Sequence, residues 1–199
     1  MGFRRILGLG GREDDEHLAN VEERVHLPAA TEALHHGDTA TVRRIVGRLE
    51  AMPPDQARLV ASAAYTLARA ANADLHISDE ETRLMETILQ DRDALDEATA
   101  VIVVEMAKLQ ARSIGGSEDY SVTREFNRLA SHDQRLEILR ACYAVGAVNG
   151  SISAEENAIV NQIAKELDLE PDEVSAVRSE FHDHLSVVQA LRRMRESAE

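Results

Sequence analysis

Apolar residues recur at spacings of three and four through most of the chain, the period of helices with one buried face. Pro53-Pro54 interrupts the pattern, because proline removes a helical donor and clashes with the preceding turn. Beyond it, Leu59, Val60, Ala63, Ala64, Leu67, Ala68 and Ala71 mark the inner face of a helix predicted over 54–72. A second helix starts after Ser78 and buries Leu84, Met85, Ile88 and Leu89. A third carries Leu95, Ala98, Ile102, Met106 and Leu109 and stops at Gly115-Gly116. A bridging helix over 120–130 leads into a second cycle of three, over 133–148, 153–167 and 171 to about 195.

The cycles align from Ile77 onto Ile152. Ile77-Ser78-x-Glu80-Glu81 falls on Ile152-Ser153-x-Glu155-Glu156, and Leu84, Met85 and Ile88 fall on Ile159, Val160 and Ile163. Three helices therefore repeat, and pairing two such units buries both apolar faces. The expected fold is all-α: a pseudo-two-fold bundle of two three-helix repeats (about 54–114 and 132–195), joined by the bridging helix and preceded by N-terminal helices. Residues 1–15, with four glycines and a charged run, read as a disordered N-terminus. Residues 16–53 read as a helical extension, with stretches over 27–36 and 38–52.

Each repeat contains one acid-rich turn between its first two helices. Ser78 and Glu81 are three apart before an apolar run, as are Ser153 and Glu156. That is the capping-box spacing, in which the serine oxygen takes a backbone N–H and the glutamate reaches back to the serine N–H. Ser78 and Ser153 are thus expected as structural caps. Asp79, Glu80, Glu155 and Glu156 suit the positive end of each helix and are the expected acidic interaction surface.

The turns also invite comparison with a calcium loop. Asn149-Gly150-x-Ile152-x-x-x-Glu156 fits its later positions, but the first and third ligand positions fall on Val145 and Ala147, or on Ala70 and Asn72 in the other copy. A full calcium loop is excluded. Asp74 and Glu81 stay as candidate metal ligands for weak divalent-cation binding; no other cofactor is expected.

Composition narrows the function. The net charge is −14, and residues 56–199 carry 15 basic against 26 acidic groups, which repels phosphate backbones and argues against nucleic-acid binding. Cys142 is the single cysteine, so no internal disulfide forms and a cytoplasmic setting is expected. The most apolar run, 98–104, is far short of the ~20 residues of a transmembrane helix. The N-terminal Met1-Gly-Phe-Arg-Arg stretch lacks the features of a signal peptide. Glu32-x-x-His35, His132-Asp133 and His182-Asp183 have metal-site or phosphohydrolase spacings without the partners such sites need, and no nucleotide-binding loop or nucleophile elbow is present. No enzymatic activity is expected.

The two turns, together with Asp119-Tyr120-Ser-Val-Thr-x-x-Phe-Asn127 and Arg135-Leu-x-x-Leu139, resemble the TerB-like family, named for tellurite resistance. Its relatives include the N-terminal domain of a membrane-anchored DnaJ-type co-chaperone. The resemblance covers about residues 57–195. It implies an all-helical domain over 54–199 and a non-enzymatic role in a bacterial stress-response assembly. Its partners would be proteins, in the cytoplasm or peripherally at the inner membrane. It also implies acidic turn residues as cation-binding candidates. This chain departs from the family's Ala-Asp-Gly-x-Ile-Ser-x-x-Glu pattern at Leu75, in place of glycine, and at Asn149, in place of aspartate. A shared metal function is weakened by both departures, whereas the capping residues are kept.

Overall fold

A computed structural model describes Gly47, residues 50–93, 95–113 and 117–197. The chain divides between Met52 and Pro53, and the part from Pro53 onward is the one described below. The expected disordered segment 1–15, the helical stretch 27–36, most of 38–52, and Glu32 and His35 lie outside the described residues.

The fold is all-α. Helix α1 (Pro54–Ala71) begins with Pro54 in its first turn, where the missing N–H costs nothing. From Ser62 to Ala71 every residue of α1 is buried. A helix buried on all sides is a core helix, so α1 presents more than the single inner face its apolar spacing suggests. Its alanines let neighbours approach closely, and it packs chiefly on α3 (Glu97–Ser113), α4 (Ser117–Leu129) and α5 (His132–Ala147). Helix α2 (Asp79–Asp93) lies against α3, and α6 (Ala154–Glu166) against α5. Met85, Leu89, Phe126, Ile138, Leu139, Tyr143 and Ile163 fill the core between them.

A buried ionic tie crosses the core. Arg69 on α1 donates through both terminal nitrogens to Glu166 on α6, at 2.6 and 3.0 Å. Its Nη1 also reaches Thr123 on α4 at 3.1 Å. Beside it, the Tyr65 hydroxyl donates to Asp119 at 2.6 Å. Burial alone would raise the Glu166 carboxyl, but the Arg69 hydrogen bonds and charge outweigh it and hold the carboxyl below its usual range.

Two local expectations are corrected. The predicted last helix is not continuous. It divides into α7 (Pro171–Glu180), a 3-10 turn (His182–His184) and α8 (Ser186–Glu196). The cause is a long-range pairing: Ile152 N–H donates to His184 O at 2.6 Å, and Ser186 N–H to Ile152 O at 2.9 Å. This holds Leu185 extended and buries it against the turn before α6. The second correction is the face of α3. Thr99, Ala100, Val104 and Ala107 are buried, whereas Ala98 and Leu109 are exposed, because packing on α1 and α2 selects the neighbouring stripe.

Candidate functional site

The two acidic turns are built alike and meet. The first runs from a 3-10 turn (Asn72–Asp74) through Leu75, which adopts left-handed backbone at φ 67°. Asp74 Oδ1 accepts from the His76 N–H at 2.9 Å. The second passes through Gly150 at φ 89°, a conformation that glycine adopts without strain. Ile77 and Ile152, both buried, pin the turns to the core.

Each turn ends in a reciprocal cap. Ser78 N–H and Oγ both donate to Glu81 Oε2, at 2.6 and 2.8 Å, while Glu81 N–H donates to Ser78 Oγ at 3.2 Å. In the second turn Ser153 N–H donates to Glu156 Oε2 at 2.7 Å, and Glu156 N–H to Ser153 Oγ at 3.0 Å. These bonds satisfy backbone donors that a helix start leaves without partners. One hydrogen bond joins the turns: Asn149 Nδ2 donates to Ser78 Oγ at 3.2 Å.

Between the turns lies an open cleft of about 500 Å³, lined by Asp74, His76, Glu81, Gly146, Asn149, Ser151, Ser153, Ala154, Glu155, Glu156 and Ser186. Four of these residues are acidic and none is lysine or arginine. Glu81 and Glu156 are 3% and 6% exposed and form its floor. Burial raises the Glu156 carboxyl above its ordinary value; the hydrogen bonds from Ser153 pull the other way, and the charges of Glu81 and Asp74 add to the rise. Gly146 makes room for that carboxylate, since a Cβ there would stand 3.3 Å from Glu156 Oε1.

The sequence candidates separate in space. Asp74, Glu81, Glu155 and Glu156 come together in the cleft. Asp79 and Glu80 are exposed on the first turn of α2, where Glu80 lies 3.8 Å from Arg83. Glu156 folds back onto Ser153, which leaves little of it in contact with solvent. Among the described residues, no group of three or more His, Cys, Asp or Glu side chains is arranged to hold a metal ion. His132 Nε2 lies 2.7 Å from Glu173 on the surface, and burial pushes the Cys142 thiol up to about 12. Among the described residues, no helix is long and apolar enough to cross a membrane.

Sequence reasoning missed Gly146, Ser186 and His76 as parts of the cleft. Gly146 carried a signal. Glycine inside a helix costs about 1 kcal/mol relative to alanine, and its place within α5 points to a close neighbour.

The arrangement suits a cation. Carboxylates gathered in a partly desolvated cleft repel, and an ammonium or guanidinium group placed among them relieves the repulsion. A family model described as tellurite resistance protein TerB matches residues 59–179. No curated protein and no solved structure matches the chain. The family match spans more than half of the 199 residues, and the protein belongs to the TerB family.

Proposed function

We propose that the protein is a non-enzymatic interaction module whose acidic cleft docks a basic segment of a protein partner. The observation that carries this reading is the Asn149–Ser78 hydrogen bond. It joins two separately capped turns, so that Asp74, Glu81, Glu155 and Glu156 line one cleft without a lysine or arginine among them. Asp79 and Glu80 extend the acidic surface beside it. The family suggests the setting: a stress-response assembly of the tellurite-resistance type, in the cytoplasm or peripheral to the inner membrane.

Calorimetric titration with an arginine-rich peptide tests the reading. Wild-type protein is expected to bind, and Asp74→Asn with Glu155→Gln to weaken binding roughly tenfold, about 1.4 kcal/mol. Glu118→Gln with Glu137→Gln, an equal charge change on exposed residues outside the cleft, serves as the control. Equal weakening by both pairs overturns the reading, because it reduces binding to overall charge.

A second reading, weak divalent-cation binding, is favoured by one observation: Asp74, Glu81, Glu155 and Glu156 line the same cleft. Titration with calcium, magnesium and zinc would then release heat and raise the melting temperature. The absence of both effects removes it.

A further inference from the structure

Helix α8 has no buried residue, and its main neighbour is the 3-10 turn before it. An eleven-residue helix is marginal in water by itself. Val187, Leu191 and Met194, four and three residues apart, form one apolar stripe that is exposed throughout, Leu191 by 62%. Arg195 borders it on one side and Arg193 lies further round the helix on the other, and among the described residues neither makes an ion pair. Arg192 is held by Asp183 at 2.6 Å. A chain of net charge −14 thus carries a cationic helix with an apolar face.

The complementary surface is on the same chain. Asp74 and Glu155 line the cleft. Leu75, next to Asp74, is 84% exposed, and Val148, next to Asn149, is also exposed. Both surfaces lie at one end of the bundle, for Ser186 opens α8 and also lines the cleft, and Gln189 Nε2 donates to Gly150 O at 2.9 Å. Adjacent placement lets a single two-fold axis satisfy two reciprocal contacts and close the assembly.

We propose that the basic segment taken up by the cleft is α8 of a second copy of this chain. In the resulting two-fold dimer, Arg193, Arg195 and the apolar stripe of each copy seat on Asp74, Glu155, Leu75 and Val148 of the other. The proposal rests on the reading of the cleft as a dock for basic segments.

Sedimentation velocity of the full chain over a concentration series tests it. A dimer is expected, weakened roughly tenfold by high salt. Arg193→Glu with Arg195→Glu, and separately Asp74→Lys with Glu155→Lys, are expected to give monomers. Mixing these two reversed chains restores opposite charge at both contacts, so the equimolar mixture is expected to dimerise. Should circular dichroism show either reversed chain unfolded, Arg193→Gln with Arg195→Gln and Asp74→Asn with Glu155→Gln take their place, each with weakened dimerisation expected. A wild-type chain that stays monomeric overturns the proposal and leaves the stripe to another occupant. Dimerisation unaffected by the arginine changes also overturns it, since stripe would then pair with stripe. If the monomeric chain still takes the arginine-rich peptide in its cleft, only the dimer fails; if it takes no peptide, the cleft reading fails too.

Discussion

Asn149, on the turn before α6, donates its side-chain amide to Ser78 Oγ, on the turn before α2, at 3.2 Å. Ser78 therefore has a duty beyond the cap it shares in kind with Ser153. Ser153→Ala is expected to cost about 1 kcal/mol, the usual value of a cap. Ser78→Ala is expected to cost about 2 kcal/mol, because it also loses the bond between the turns. Asn149→Ala should lose most of its effect in a chain already carrying Ser78→Ala. Urea denaturation of the three single variants and the Ser78→Ala/Asn149→Ala double variant checks this, and equal costs for the two serines would contradict it.

Gly146 faces a carboxylate that cannot easily retreat. Alanine in a helix interior normally gains about 1 kcal/mol over glycine. Here the new Cβ would stand 3.3 Å from Glu156 Oε1, while Glu156 Oε2 is held by the Ser153 N–H. Gly146→Ala is expected to forfeit that gain and lower stability by about 1 kcal/mol. In a Glu156→Ala background the same change is expected to stabilise. Thermal melts of the four chains check the reversal of sign.

The Arg69–Glu166 pair is buried on both sides, with side chains 5% and 6% exposed. Arg69→Met strands a buried carboxylate and is expected to cost about 3–5 kcal/mol. Adding Glu166→Leu is expected to recover most of that loss. Because the Glu166 carboxyl sits below its ordinary 4.5 in the fold, its contribution is present above the unfolded value and lost as pH falls through the folded one. Wild-type protein should therefore lose stability in acid relative to the double variant. Parallel pH-dependent melts of the two chains make the comparison.

Glu156 runs the other way. Its carboxyl is raised above 4.5 by burial and, further, by its acidic neighbours. Its contribution is present below the unfolded value and lost as pH rises through the raised folded one. Glu156→Gln keeps an acceptor for the Ser153 N–H but cannot ionise. Relative to wild type, its melting temperature is expected to climb from pH 4.5 towards neutrality. A difference that stays flat with pH would contradict the raised carboxyl.

Local chemistry was legible in the sequence and long-range packing was not. Ser153 and Glu156 make their cap across three residues, so the start of α6 stands out in the chain itself. The interruption at Leu185 depends on Ile152, far away in sequence, and no signal beside Leu185 announces it. The turns read as acidic one at a time, but their meeting through Asn149 and Ser78 depends on how the helices pack. On α3, Leu109 and Val104 belong to neighbouring apolar stripes, and only the packing against α1 and α2 decides that Val104 goes inside.

The proposed docking role requires that the two turns act as one cation-accepting cleft. Nuclear magnetic resonance titration of labelled protein with the arginine-rich peptide tests it most directly. Saturable shifts of backbone amides confined to residues 74–81 and 149–156, moving together with one affinity, are expected. Shifts spread over the exposed acids elsewhere, such as Glu118 and Glu137, or separate affinities for the two turns, would contradict it.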